Sequence, residues 1–197
     1  MRPLPFVWPY ALIFWVIYVW AFLPEWKVVQ GGREGVKDAN SKDSGSLRVI
    51  MGGMGAALFI AFLGAFVKAW AFPQRWVMPL FVVGLLLIVL GSLLRSYCWR
   101  TLGEYFTGDV KARPDQPVIT SGPYRWVRHP SYTAGMIMFI GIGLALGGWF
   151  SFALLTIATI ATYSYRVAVE ERVLLETIGE SYGSYMKQRK RFIPYIV

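Results

Sequence analysis

The run WVMPLFVVGLLLIVLGSLL, residues 76–94, contains no charged side chain. An α-helix needs about 20 mostly apolar residues to cross the hydrocarbon core of a bilayer, so this run predicts a membrane-spanning helix. Further apolar stretches predict helices of the same kind at about 6–23, 49–71, 131–146 and 149–165. The sequence therefore predicts an all-α polytopic integral membrane protein with about five transmembrane helices, a C-terminal helical hairpin and short cytoplasmic helices.

The composition of the 197-residue chain agrees with a membrane protein. Hydrophobic residues make up 56% and charged residues 16%, whereas a soluble domain has about 45–50% and about 25%. The mean hydropathy is +0.47. A single cysteine and a single histidine exclude a disulfide scaffold and a multi-histidine metal cage, so no metal is expected.

The distribution of the 20 lysines and arginines predicts the orientation in the membrane. With an external N-terminus, the segments 24–48 and 95–130 and the C-terminal part lie inside, and only Arg2, Lys68 and Arg75 lie elsewhere. This pattern follows the positive-inside rule. The net charge of +9 is therefore attributed to topology and not to nucleic-acid binding. A short chain without targeting signals favours a prokaryotic inner membrane, with the active site on the cytoplasmic face.

The chain is predicted to form one structural domain with two regions. Residues 1–100 are expected to form an N-terminal three-helix membrane region, and residues 101–197 a C-terminal cofactor-binding and catalytic region. Small residues in the second helix, and prolines on either side of the following turn, predict that the second and third helices pair closely. The polar stretch at about 95–128 is expected to lie outside hydrocarbon.

The hairpin helices are separated only by Gly147 and Gly148. The second is predicted to continue as an amphipathic helix to about residue 178, where Gly179 is a stop signal, and a short helix follows at about 181–190. Because the glycine turn lies at the far side of the membrane, the other ends of the two hairpin helices lie side by side.

Ionisable side chains converge at those ends: Arg128, His129, Arg166, Glu170 and Glu171. Such groups are costly at membrane depth, so the cluster predicts a functional site. Pro130 fits the first turn of a helix and leaves the amides of about residues 131–134 free to bind an anion.

Four residues of this cluster also have a structural interpretation. Arg166 and Glu170 are four residues apart and can form an ordinary ion pair on a helix surface. His129 can cap the following helix, and Arg128 can be a topological anchor. The joint arrangement of these residues, and no single one, favours a functional site.

Two motifs resemble a known family. GPYRWVRHPSY at 122–132, followed by the hairpin and by RVAVEERVLLETIGESYGSYM at 166–186, is similar to the isoprenylcysteine carboxyl methyltransferase family and to the related phospholipid N-methyltransferases. The resemblance extends over about residues 102–194. It implies that S-adenosylmethionine is the methyl donor, leaving S-adenosylhomocysteine as product, and that the donor binds under the hairpin.

The resemblance also implies roles for individual residues. Those expected to bind the cofactor are Tyr124, His129, Pro130, Tyr132, Glu171, Tyr182, Tyr185 and Arg191. Those expected to act in catalysis are Arg128, Arg166 and Glu170. A carboxylate acceptor is already ionised and needs only a cation to hold it, which Arg128 or Arg166 can supply. An amine or thiol acceptor needs a base, which Glu170 or Glu171 can supply.

The function predicted from the sequence is methyl transfer to a lipophilic small molecule or lipidated acceptor in the membrane. The resemblance implies a prenylcysteine-type carboxylate, although Gly147, Gly148 and Trp149 stand where prenylcysteine enzymes often carry Asn-Pro, which leaves the acceptor open. The acceptor is expected to arrive sideways from the lipid, between the fourth helix and an early helix. The alternatives are an NADPH-dependent membrane reductase of the sterol reductase type and a non-enzymatic channel or scaffold.

Overall fold

The computed structural model describes residues 2–36, 45–106, 112 and 116–194. Its α-helices are α1 (Tyr10–Val36), α2 (Ser46–Gly64), α3 (Gln74–Leu102), α4 (Pro130–Ala145), α5 (Trp149–Ile178) and α6 (Glu180–Gln188). Strands are absent from these ranges, where only two isolated β-bridges occur. The predicted all-α class is therefore confirmed.

Three helical segments are long and apolar enough to cross a membrane: Ser46–Gly64, Gln74–Tyr105 and Trp149–Ile178. The apolar part of α1, Tyr10–Trp26, and the whole of α4 are shorter. These lengths agree with an integral membrane protein.

Helix α3 is longer than the sequence predicted, because it continues through the first charged residues to Leu102. The predicted end of this helix at about residue 94 is therefore wrong. Arg95 lies within the helix and forms a two-pronged ion pair with Glu25 of α1, with Arg95 Nη2 2.9 Å from Glu25 Oε2. A paired and hydrogen-bonded charge can be buried where a lone charge cannot.

The packing of the helices differs from the predicted close pairing of the second and third helices. Helix α3 packs along α4, α2 packs along α5, and α4 and α5 pack on each other. Gly84 of α3 and Gly141 of α4 explain the closest approach: a Cβ atom on Gly84 would lie 2.5 Å from the Gly141 carbonyl oxygen. Small residues therefore serve helix contact as expected in a membrane.

The glycines of α2 divide between two surroundings. A Cβ on Gly53 or Gly64 would meet Thr162 or Phe150 of α5. A Cβ on Gly52 or Gly55 would meet nothing within 4 Å. Only the first pair of glycines therefore contributes to close packing.

Candidate active site

A cavity of about 320 Å³ lies among the helices at the end of the bundle that carries Arg166. One part of its wall is apolar and comes mainly from α1, α2 and α4: Phe22, Ile50, Met51, Met54, Met138 and Phe139. The rest of the wall includes the polar side chains and most of the residues singled out in the sequence. We call the apolar set of wall residues the apolar lobe and the polar set the polar lobe.

The structure places the predicted residues in two groups. The polar lobe is lined by Arg128, Arg166 and Glu170 of the expected catalytic set, and by Tyr124, His129, Tyr132, Tyr182 and Tyr185 of the expected cofactor set. Glu171, Pro130 and Arg191 do not line it. The two adjacent glutamates therefore have different surroundings, as their 100° separation on a helix requires.

Arg166 is 3% exposed and lies where the apolar and polar lobes meet. Its Nη1 donates to the hydroxyl oxygen of Ser46, and its Nε lies 3.3 Å from the hydroxyl oxygen of Tyr132. The Tyr132 hydroxyl in turn donates to Glu170 Oε2 at 2.8 Å. These two hydroxyl contacts help to orient the guanidinium at the wall of the cavity.

Glu171 is the centre of a buried ion cluster and is 3% exposed. Its Oε1 accepts from Arg128 Nε at 2.9 Å and lies 3.1 Å from His129 Nε2. Its Oε2 lies 2.7 Å from Arg191 Nη2. Three cationic or donor groups therefore converge on one carboxylate, which ties α5 to the start of α4 and to the C-terminal tail.

The C-terminal tail is also fastened by backbone hydrogen bonds. The amides of Arg128 and His129 donate to the carbonyl oxygens of Lys190 and Arg191, at 2.8 and 3.0 Å. The Thr133 hydroxyl donates to the Phe192 carbonyl oxygen at 2.9 Å. The tail is therefore fastened to the beginning of α4, although none of its described residues lines the cavity.

Helix α6 adds two buried tyrosines to the polar lobe. The Tyr185 hydroxyl donates to the Tyr124 carbonyl oxygen at 2.5 Å. Desolvation by burial raises the pKa of Tyr182 and raises the pKa of Tyr185 to about 12. Both side chains are therefore neutral near pH 7, where they act as hydrogen-bond donors and aromatic surfaces and not as bases.

The start of α4 does not offer the anion site that the sequence predicted. The amides of Tyr132 and Thr133 already donate to the His129 carbonyl oxygen, at 3.1 and 3.2 Å. The His129 side chain makes no capping hydrogen bond to α4 either, since it faces Glu171. Both the predicted amide site and the capping interpretation of His129 are therefore wrong.

Sequence reasoning missed Glu25, Arg95, Ser131 and Ser46. The first three line the cavity, where Arg95 Nη1 donates to the carbonyl and hydroxyl oxygens of Ser131 at 2.8 and 2.9 Å. One signal was present: Glu25 and Arg95 are each the first charged residue after an apolar run, and alternating helices bring those two ends to the same side. Ser46 gave no comparable signal.

Comparisons with known proteins agree with this geometry. Residues 82–176 match the model of the isoprenylcysteine carboxyl methyltransferase family. This match covers 95 of the 197 residues. The matched residues include Arg128, His129, Arg166, Glu170 and Glu171. The family resemblance inferred from the motifs is therefore confirmed.

Two relatives and one solved structure illustrate the similarity. The chain is 31% identical to a protein-S-isoprenylcysteine O-methyltransferase of Dictyostelium discoideum, over 71% of this chain and 60% of the relative. It is 34% identical to that of Schizosaccharomyces pombe, over 55% of this chain and 47% of the relative. The structure of the eukaryotic intramembrane Ras methyltransferase, an isoprenylcysteine carboxyl methyltransferase, superposes with a TM-score of 0.63 at 29% identity, covering 72% of this chain and 52% of that chain. The match therefore spans between about half and three fifths of the length of these proteins.

Proposed function

We propose that this chain is a membrane methyltransferase that transfers the methyl group of S-adenosylmethionine to the carboxylate of a prenylcysteine-type acceptor. The observation that carries the proposal is the position of Arg166, a buried cation in the wall of a cavity that also has apolar and polar linings. An acceptor with a lipophilic tail and a carboxylate head fits the cavity in one orientation, with its tail against the apolar residues and its carboxylate at Arg166. The names of the relatives support the same chemistry.

The residues of the polar lobe fit the chemistry of S-adenosylmethionine. When bound, the cofactor supplies a methyl group on a sulfonium that leaves as a neutral thioether. Glu170 is a carboxylate partner for its ammonium or ribose hydroxyls, and Tyr124, Tyr182 and Tyr185 offer aromatic surfaces to its adenine and its cationic sulfur. No metal is needed for this displacement, and none of the described residues forms a group that could hold one.

The protein contributes alignment more than acid–base chemistry. A carboxylate acceptor is ionised at neutral pH, so one of its oxygens can attack the methyl carbon without losing a proton first. Arg166 holds this carboxylate through two parallel donors, and Tyr132 fixes the guanidinium. Correct placement of two reacting groups can contribute about 7–11 kcal/mol to a barrier.

We further propose that Glu171, Arg128 and Arg191 act as positioning residues. Their side chains are engaged with one another and with the backbone of the tail, and Glu171 and Arg191 do not line the cavity. By fastening the tail across the start of α4, they keep Tyr182 and Tyr185 in the wall of the polar lobe. His129 contacts Glu171 on one side and lines the cavity on the other.

The apolar lobe is proposed to receive the lipid tail of the acceptor from within the bilayer. Its walls come from α1, α2 and α4, and Met51, Met54 and Met138 supply flexible side chains that adapt to an irregular chain. A lipophilic acceptor already partitions into lipid, gaining about 0.8 kcal/mol per buried CH₂. Methyl transfer is therefore expected to rise with the length of the acceptor tail until the lobe is filled.

For the topology, we propose five membrane helices. The N-terminus lies outside, and the site lies on the cytoplasmic face. The apolar parts of α1 and α4 are short, but both pack on the longer α3, which supports their lying in the same layer. The relatives named above come from eukaryotes, so they give no support to a prokaryotic inner membrane.

Ligand binding tests the proposed function. The purified chain in detergent should bind S-adenosylhomocysteine saturably in calorimetry, and NADPH should not compete. Glu170→Gln should weaken binding about ten- to a hundredfold, because a charge-assisted hydrogen bond contributes about 1.5–3 kcal/mol. Glu180→Gln is the matched control, since Glu180 is exposed at the start of α6. Tight NADPH binding without S-adenosylhomocysteine binding would instead support the reductase alternative.

A further inference from the structure

A second, strongly basic surface lies outside the cavity. Arg125, Trp126 and the end of α6 with the tail that follows it, residues 186–191, enclose an open groove of about 580 Å³, which we call the basic groove. Its side chains include five arginines and lysines besides Arg128: Arg125, Lys187, Arg189, Lys190 and Arg191. Among the described residues that line it, none is acidic.

Only part of this positive charge is paired with a carboxylate within the described ranges. Arg128 and Arg191 are paired with Glu171. In contrast, within the described ranges no carboxylate forms an ion pair with Arg125, Lys187 or Lys190. The groove therefore presents several cations to its surroundings at one place.

The groove is a rigid feature and not a set of independent surface side chains. Its two sides are joined by the hydrogen bonds from the amides of Arg128 and His129 to the carbonyl oxygens of Lys190 and Arg191. The Arg125 guanidinium lies 4.6 Å from the centroid of the Trp126 ring, which is 50% exposed. An arginine held over an exposed indole is an arrangement suited to a membrane interface, where one face of the ring is apolar and the other wet.

The fold sets the depth of the basic groove. Arg128 and Arg191 of the groove form ion pairs with Glu171. At 1.5 Å per residue, Glu171 lies about 33 Å along α5 from Trp149. Trp149 is 59% exposed and, with the exposed Trp70 and Trp76, marks the opposite interface. Because the hydrocarbon core is about 30 Å thick, the groove lies at the level of the phosphate headgroups.

From this position and charge we propose that the basic groove binds the headgroup of an anionic phospholipid. A lipid phosphate would lie between Arg125 on one side and Arg189 or Lys190 on the other, with Trp126 beside the acyl–headgroup boundary. Juxtamembrane lysines and arginines attract anionic lipid in proportion to their number. The groove shares only Arg128 with the methyl-transfer cavity, and Arg125, Arg189 and Lys190 do not line that cavity. The proposal therefore stands whether or not the proposed function is correct.

The test uses the full chain in an uncharged detergent and native mass spectrometry. The probes are short-chain phosphatidylglycerol, phosphatidylcholine with the same chains, and inorganic phosphate. Wild-type protein should retain phosphatidylglycerol at least about tenfold more tightly than phosphatidylcholine. The variant Arg189→Gln/Lys190→Gln should lose about tenfold of that affinity.

The control variant Arg100→Gln/Arg172→Gln removes the same charge from exposed positions outside the groove and should change the affinity less than about twofold. Thermal unfolding checks that each variant is folded, and Arg125→Gln replaces the double variant if it is not. Equal binding of the two lipids, an equal loss in the control variant, or displacement of the lipid by an equal concentration of inorganic phosphate would each overturn the proposal.

Discussion

Glu171→Gln is expected to release the C-terminal tail and to abolish measurable S-adenosylhomocysteine binding. The substitution keeps the shape of the side chain but removes the charge that Arg128, His129 and Arg191 share. Removing one member of a buried ion pair typically costs about 3–5 kcal/mol, because here the Arg128 guanidinium stays largely buried without its carboxylate partner. The free energy of unfolding should therefore fall by about that amount, and proteolysis should cut near residue 190 faster than in the wild type.

The neighbouring substitution Glu170→Gln separates this effect from a direct loss of ligand contacts. Glu170 accepts a hydrogen bond from Tyr132 and lines the cavity, but it does not hold the tail. It should therefore weaken ligand binding without increasing proteolysis of the tail. If both substitutions leave the tail equally protected, the role assigned to Glu171 is wrong.

Glu25→Gln is expected to destabilise the membrane bundle by about 3–5 kcal/mol. Arg95 lies within α3 with 13% of its side chain exposed, and Glu25 is its only acidic partner in the described part of the chain. The single substitution leaves that guanidinium without a counter-charge in a region where charges are costly. Thermal unfolding in detergent, followed by helical circular dichroism, measures the loss.

A double substitution provides a sharper version of the same test. Replacing a whole buried ion pair by apolar residues of similar size is often neutral or stabilising. Glu25→Leu/Arg95→Met should therefore recover most of the stability lost in Glu25→Gln, less the hydrogen bonds from Arg95 to Ser131. A double variant no more stable than Glu25→Gln would contradict the interpretation of these residues as a charge-balanced pair.

Local signals in the sequence predicted some features of this fold correctly. Helix α5 was expected to run from Trp149 to about residue 178, and it ends at Ile178, because the apolar residues keep helical spacing until Gly179. Gly179 has a φ of 74°, a conformation that favours glycine and ends the helix. The end of this helix depends only on residues that are neighbours in the sequence, so it can be predicted without knowledge of the tertiary fold.

Features that depend on distant contacts could not be predicted in the same way. The end of α3 was misplaced because a charge normally marks the end of a span, and the compensating Glu25 is 70 residues away from Arg95. The pairing of α2 with α5, and not with α3, likewise depends on which glycine faces which neighbour. The convergence of ionisable residues at the cavity was predicted from the sequence. The hydrogen bonds from Arg166 to Ser46 and from Arg95 to Ser131 were not.

Methyl transfer itself tests the central claim most directly. Wild-type protein in lipid nanodiscs receives S-adenosylmethionine with a labelled methyl group and a prenylcysteine analogue that carries a free carboxylate; the same analogue as an amide is the control. We expect label in the carboxylate analogue as a base-labile ester, none in the amide, and a larger loss of turnover than of S-adenosylhomocysteine affinity in Arg166→Lys, because lysine cannot make a two-pronged contact. No ester formation by a protein that binds S-adenosylhomocysteine, or label found only in phospholipid or in a soluble thiol, would contradict the proposed carboxylate acceptor.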